Sequence, residues 1–513
     1  MADEFKEAQA STAIEGQRDS DARSLPDFVD RPAGWIYKGF QFGGKEIWYA
    51  SPTVQLLMVS FVCFMCPGMF NALGGLGGGG QLDLTAQRYS NLTLYGVFAV
   101  VGFFAGTVAN RLGLRLTFAV GGLGYCVYAA SFLCYNHTRN LGFVVFAGAF
   151  LGLCAGLLWT AQGAVMMAYP PENRKGRYIS WFWIIFNCGG VLGSLVGYPI
   201  FTLVGVSRGL SNNTHLQIPL GQNIHKTVGS VGDGTYVGFI VLMCIGLVLG
   251  FFMCDADKVI REDGTKVILM KNPSWKTELI GLWETLFKDP WIILLFTMFF
   301  VSNIFYTYQN NGLNGTFFNI RTRSLNGLLY WLAQIVGALC VGYGLDFAGA
   351  RRSVRAKASW CVLTALTMGI WGGGYAWQRQ QVSREIASDP KWQEENLIDW
   401  TDGNKLFLGP MFLYFFYGFF DAVWQTTIYW YMGSLSNNGR KAANLAGFYK
   451  GVSLFFFFGL SLSISVSDLD GDGSVETNSL CSFRVPEPAS GGVWMPITCP
   501  TTPCSRLPGL CWA

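Results

Sequence analysis

Gly106-Thr-Val-Ala-Asn110-Arg111-Leu-Gly113-Leu-Arg115 is the stretch that decides the fold. It closes one strongly apolar run, about residues 91–109, and opens another, about 115–135. A tight turn with two arginines between two such runs predicts a hairpin of membrane helices. Glycines let the helices approach closely, and the arginines stay in water beside anionic headgroups. The pattern recurs in Gly342-Tyr-Gly-Leu-Asp346-Phe-Ala-Gly349-Ala-Arg351, with Arg352 following. Each copy spaces Gly, then Asn or Asp four residues on, Gly three later and Arg two later. Two copies at matching places predict a chain built from two repeated halves.

Composition agrees with burial in lipid. Half of the 513 residues (51%) are hydrophobic and 13% are charged, against roughly 25% charged in soluble domains. Aromatics reach 16%, with 64 glycines. A net charge of +4 is too small to imply a nucleic-acid partner. Ten of the 14 cysteines lie in or beside apolar spans, where a thiol acts as a small hydrophobe. Cys63 and Cys66 form a CxxC inside the first span. The three histidines lack metal-ligand spacing, so no metal and no cofactor are expected.

Residues 1–50 read as a cytoplasmic N-terminus, disordered to about residue 34 and then aromatic and interfacial. Spans of about 20 apolar residues follow near 53–73, 91–110, 115–135, 141–167, 178–204 and 235–253, giving a six-helix half over 51–253. A polar cytoplasmic loop, 254–289, separates it from a second half over 290–466, with spans near 290–310, 325–345, 355–377, 406–432 and 442–466. The eleven spans fall one short of two equal halves of six.

Lysines and arginines orient the bundle. With the N-terminus inside, inner segments carry 23 of them and outer loops 10, a bias that places the N-terminus in the cytoplasm. The Asn-x-Ser/Thr sequons at Asn91, Asn136, Asn212 and Asn314 all fall on the outer side. Asn212 in the long loop 205–234 is the best glycosylation candidate, followed by Asn136 and Asn314. Asn91 lies too near the membrane. Residues 467–513 carry no apolar span. They read as a gene-model artefact, an intron read through with a frameshift after about Lys450; the alternative is a true short form with a disordered tail. A spliced transcript encoding this tail unchanged would exclude the artefact.

The paired turns resemble the loop motif of the major facilitator superfamily, Gly-x-x-x-Asp-Arg-x-Gly-Arg-Arg, found between helices 2 and 3 and again between helices 8 and 9. Gly106, Arg111, Gly113 and Arg115 match in the first copy, where Asn110 replaces the usual Asp. Gly342, Asp346, Gly349, Arg351 and Arg352 match in the second, where Phe347 stands in the place of Arg111. Within that superfamily the chain resembles the Unc-ninety-three-like family. Gly152-Leu-Cys-Ala-Gly156-Leu-Leu-Trp159-Thr160-Ala-Gln162-Gly163 and Pro171-Glu172-Asn173-Arg174-Lys175-Gly176 carry this likeness, which runs from about residue 50 to 450. The resemblance implies an all-α bundle of two pseudo-repeated halves, twelve helices being usual, around a central cavity. The halves rock to give alternating access. The resemblance also implies a cytoplasmic gate at the paired turns, with the inner-loop arginines and Asp346 holding that side closed.

Polar side chains inside apolar spans are the remaining signal, since lipid offers them no water. Asp421, Trp424 and Gln425 share one helical face, as do Trp159 and Gln162. Asn71 lies in span one, and Asn303, Tyr306 and Gln309 lie in span seven. The resemblance places helices 1, 4, 7 and 10 around the cavity, so these nine residues are the candidate substrate site. The competing reading is interhelical glue, worth about 0.6–2 kcal/mol per Asn or Gln. Asp421 is the candidate for proton coupling.

Three matches are discounted. Gly75-Leu-Gly77-Gly-Gly-Gly80 follows a membrane helix where nucleotide binding needs a strand. No Gly-Lys-Ser/Thr provides a phosphate loop. Asp468-x-Asp470-x-Asp472 lacks the Glu that a calcium loop requires at position twelve. With no nucleophile–base pair in a credible setting, the sequence points away from an enzyme. Two functions remain: a secondary transporter of a small solute, with protons as a candidate co-substrate, or a non-transporting membrane partner that regulates or escorts another membrane protein. Plasma and vacuolar membranes both stay open.

Overall fold

The computed structural model describes residues 32–75, 84–195 and 233–455, with short interruptions, chiefly within 262–289, 383–406 and 436–440. Asn212, the tail 467–513 and most of the first 34 residues lie outside the described residues.

The described residues are mainly helical, with a two-stranded antiparallel hairpin, β1 (Phe40–Phe42) and β2 (Lys45–Ile47), which pairs Gln41 with Glu46. Helix α1 runs from Pro52–Cys63 through a π turn, Phe64–Gly68, into Met69–Gly75. Its start is written in the sequence: Ser51 Oγ accepts from the Val54 amide at 3.3 Å, and Pro52 has no amide to satisfy. The other five helices of the first half are α2 (Leu84–Leu112), α3 (Leu114–Thr138), α4 (Leu141–Ala168), α5 (Lys175–Leu195) and α6 (Asp233–Phe251). Gly113 makes the α2–α3 turn at φ +81°, a backbone region that favours glycine. Arg139 ends α3 in a left-handed conformation, and Asn140 Oδ1 caps α4 by accepting from the Phe143 amide at 3.2 Å.

The second half begins with α7, which is broken. Pro290–Val301 stops, and Phe305–Thr307 leads into a π segment, Tyr308–Gly315. Then come α8 (Ile320–Leu345), α9 (Arg352–Gln378), α10 (Leu408–Leu435) and α11 (441–455). The predicted span near 290–310 is thus a helix with a break. Asn303 and its neighbours interrupt the helix, and polar side chains take up the freed backbone groups. The helix α11 continues past Lys450. Gly451, Val452 and Ser453 are buried, so residues to 455 belong to the packed bundle.

Among the described residues five segments have the length and mean hydropathy, 1.6–2.3, to cross a membrane: Pro52–Gly74, Tyr89–Leu112, Leu114–Thr138, Leu141–Ala168 and Leu325–Leu345. The helix α10 is richer in Tyr, Trp, Gln and Asp, and it turns most of them inward. Large apolar side chains such as Val100, Phe146, Leu294 and Met368 are 60–72% exposed on the outside of the bundle, where lipid rather than water stabilises them.

The helices pack α2 and α3 against α4, α3 against α6, α5 against α8, and α8 and α9 against α10. Small residues bring backbones together between the halves. A Cβ on Gly102 would meet the backbone of Gly451 at 2.7–2.8 Å, and one on Gly106 would meet Ala443 O and Asn444 at 2.7–2.8 Å.

Candidate functional site

The polar residues of the second half converge on Asp421, which is 1% exposed. The α7 break delivers Tyr306, whose hydroxyl oxygen lies 2.9 Å from both carboxylate oxygens. The helix α8 adds Gln334, whose Nε2 donates at 2.9 Å, and Tyr330, whose hydroxyl is shared between Asp421 at 3.1 Å and Gln309 Oε1 at 3.0 Å. One turn along α10, Gln425 Nε2 donates to the Ser302 carbonyl at 3.3 Å, while its Oε1 accepts from the Tyr449 hydroxyl. Trp424 Nε1 donates to Met298 O at 3.4 Å, and Asn303 Nδ2 donates to Ser453 Oγ at 3.1 Å. The carbonyls at the broken end of α7 are thus satisfied by α10, which is how irregular backbone survives at membrane depth.

A second group lies between the halves. The Lys450 ammonium sits 4.9 Å from the Trp159 ring centroid, 4.8 Å from Tyr449 and 5.9 Å from Tyr429. Gln162, fully buried on α4, has its Oε1 3.4 Å from the Tyr429 hydroxyl. Trp159 stacks edge-on against Phe186 at 5.4 Å.

The sequence-predicted cavity residues therefore separate. Asn303, Tyr306, Gln309, Asp421, Trp424 and Gln425 share one network, and Trp159 and Gln162 flank Lys450 across the interface. Asn71 is half-buried near the end of α1 and stands outside both groups. Sequence reasoning missed Tyr330, Gln334, Tyr429, Tyr449 and Lys450. A lysine inside an apolar run was the available signal. Lys450 stands where the sequence suggests a change of frame, and Tyr330 and Gln334 lie in a helix that the resemblance does not place at the cavity.

At one end of the bundle the two quoted motifs meet. Asp346 accepts from the Gly176 amide at 2.9 Å and the Arg177 amide at 2.7 Å, capping the N-terminus of α5 from the other half. Burial pushes the Asp346 carboxyl above its usual range, while those two amides, Arg177 and Arg355 pull it down. Lys175, 1% exposed, donates to the Gly433 carbonyl, and the Arg177 guanidinium lies 5.3 Å from the Tyr343 ring. A Cβ on Gly176 would collide with the Gly342 carbonyl. Arg111, Arg115, Arg351 and Arg352 are exposed, as are Gly113 and Gly349, and Asn110 is half-buried. Backbone amides take the carboxylate, because a helix N-terminus presents unpaired donors already in place. Arg355, further into α9, is the arginine that packs, donating to Leu345 O and lying 5.9 Å from the Trp430 ring.

Two of the sequon asparagines have hydrogen-bond partners within the fold. Asn136 lies in the last turn of α3 with its amide donating to Asp233 Oδ1 at 3.2 Å. Asn314 lies in the π segment, donating to Arg323 O at 3.3 Å and accepting from Asn326 at 3.0 Å. Both are half-buried structural groups.

Comparison with known proteins follows the same lines. Residues 53–466 match the model of the Major Facilitator Superfamily. The chain is 47% identical over 419 residues to UNC93-like protein C922.05c of Schizosaccharomyces pombe, covering 82% of this chain and 78% of that one. It is 39% identical over 404 residues to UNC93-like protein 1 of Arabidopsis thaliana, covering 79% and 82%. A shorter match, 29% identical over 169 residues, covers 31% of this chain and 22% of the Caenorhabditis elegans protein unc-93, named as a potassium channel regulatory protein. The proton:xylose symporter XylE shares the fold, with a TM-score of 0.52 at 11% identity over 82% of this chain and 89% of that one. The repeated turns, the two packed halves and these relatives together place the chain in the major facilitator superfamily and, within it, in the UNC93-like family.

Proposed function

We propose that this protein is a proton-coupled secondary transporter of a small solute, working by alternating access. One observation carries the reading: a carboxylate, Asp421, buried at membrane depth and held by Tyr306, Tyr330 and Gln334 beside a broken helix. Lipid makes such a group costly, and buried carboxylates of this kind mark ion and proton pathways. The end latched by Asp346 faces the cytoplasm in this reading, as does the N-terminus. Trp159 and Gln162 from one half and the Asp421 network from the other form the walls of the solute path. Closing and opening need little energy, since about 1.4 kcal/mol shifts a conformational ratio tenfold. The bilayer, the solute and protons are the implied partners, and no enzymatic step is assigned.

The test compares solute depletion from a defined medium by cells with and without the protein, in the presence and absence of an inward proton gradient. A solute taken up only with the protein and the gradient, and lost in Trp159→Ala, supports transport. Uptake with unchanged pH dependence in Asp421→Asn would remove the proton role.

The second reading is a membrane partner that regulates or escorts another membrane protein. The likeness to unc-93 favours it. Co-purification of one membrane protein in fixed ratio, with no solute flux, would decide for it.

A further inference from the structure

Buried donors without a partner lie around Tyr429. Among the described residues the ammonium of Lys450, a residue 8% exposed, makes ring contacts and no hydrogen bond. Asp421 gives it no ion pair, because the carboxylate oxygens are engaged by Tyr306, Tyr330 and Gln334. Trp183 Nε1 is buried without a partner, and its ring lies 6.5 Å from Tyr429. Gln162 Nε2, beside the Tyr429 hydroxyl, is also unpartnered. Whichever way the Gln162 amide is turned, the ammonium and the indole can only donate. An unmade bond at a buried donor is costly, and more so for a charged one. The Lys450 ammonium and the Trp183 indole are two donors that a bound acceptor would satisfy.

The surroundings narrow that acceptor. Trp159, Trp183, Phe186, Tyr429 and Tyr449 wall the site with rings, Tyr429 and Tyr449 meeting edge-on at 5.6 Å. Rings stack on flat apolar bodies, and a carboxylate offers two acceptor oxygens to an ammonium and an indole N–H.

We propose that the site between α4, α5, α10 and α11 binds a small carboxylate with a planar apolar body, its charge facing Lys450. The inference deepens the transport reading and rests on it for the direction of coupling. Charge then balances. The empty core holds Asp421 negative and Lys450 positive. The loaded core holds a protonated Asp421, Lys450 and the bound anion, again summing to zero. One proton enters with one carboxylate, bound to Asp421 as the anion meets Lys450.

The test uses the purified full-length protein in lipid nanodiscs and follows its melting temperature with four probes: benzoate, benzamide, benzylamine and inorganic phosphate. A ligand that binds only the folded state raises the melting temperature. Benzoate is expected to raise it by about 2 °C or more, with benzamide at least tenfold weaker. Benzoate binding is lost in Lys450→Met. Should Lys450→Met fail to fold, Trp183→Phe combined with Gln162→Leu is expected to weaken benzoate about tenfold. Stabilisation by benzylamine in place of benzoate overturns the proposal. So does tighter binding of phosphate, equal benzoate binding in the variants, or no response to any probe. Benzoate that binds at Lys450 but does not enter proteoliposomes leaves this site standing and removes transport. Benzoate flux in Lys450→Met does the reverse.

Discussion

Asp346 of one half holds the Gly176 amide of the other at 2.9 Å, so the two sequence motifs that identify the chain are joined by a hydrogen bond. The partner is backbone, which explains why position 176 is glycine. The carbonyl of Gly342 fills the space a side chain would need. A carboxylate on a helix N-terminus makes a charge-assisted contact that breaks as a unit when α5 and α8 separate. It suits a latch that must release.

Replacing Asp346 with Ala leaves the Gly176 and Arg177 amides without their acceptor. Hydrogen exchange of those amides is expected to accelerate about tenfold or more, equivalent to about 1.4 kcal/mol of lost protection. The melting temperature of the bundle should move much less, because the core around α2, α3 and α4 is untouched. Unchanged exchange at residues 176 and 177 would show that Asp346 is not the group protecting them.

Spans and repeats were legible in the sequence because lipid imposes a length and a composition on every crossing. The predicted 115–135 and 141–167 became Leu114–Thr138 and Leu141–Ala168. Contacts between distant elements were not legible. Tyr330 and Gln334 sit in α8 and read as ordinary members of an apolar span, yet they complete the Asp421 site. The break at Asn303 was hidden because the flanking run stays apolar. The polar residues that produce it had been read as cavity lining alone. Asp346 lies in the second quoted turn, but its partners are backbone amides, and a sequence does not display a helix terminus as a positive group.

The N-terminal hairpin is tied to the bundle through one buried side chain. Gln55 Nε2 donates to Tyr49 O at 2.9 Å, and its Oε1 accepts from the Cys254 amide at 2.9 Å. The Ile260 amide donates to Ala50 O at 3.3 Å beside them. Gln55→Leu strands a carbonyl and an amide, at about 1–3 kcal/mol each. The expected result is a lower melting temperature together with faster limited proteolysis within residues 35–50. Proteolysis at the wild-type rate would mean that the hairpin is held by other contacts.

Residues beyond Lys450 should contribute to stability if α11 packs as described. Asn303 Nδ2 donates to Ser453 Oγ at 3.1 Å, linking the break in α7 to α11. A double-mutant cycle with Asn303→Leu and Ser453→Ala is expected to give a coupling of about 0.6–1.7 kcal/mol, the range found for polar pairs between membrane helices. Thermal unfolding of the four proteins measures it. Strict additivity would place Ser453 out of reach of Asn303.

The opening motif makes its own prediction through Gly106. The helices α2 and α11 approach so closely there that a Cβ would lie 2.8 Å from both the Ala443 carbonyl oxygen and Asn444 Cα, and backbone cannot swing aside as a side chain can. Gly106→Val therefore forces α11 away from α2, and overpacking of this kind costs about 1–3 kcal/mol. Gly344, on α8, is the control. A Cβ added there meets nothing within 4 Å, so Gly344→Ala should be neutral or slightly stabilising, as alanine favours helix. Amide exchange across residues 441–455 separates the two substitutions: it should rise in Gly106→Val and stay at the wild-type level in Gly344→Ala. Equal exchange in both would show that the close approach of α2 and α11 is not what orders the last described helix.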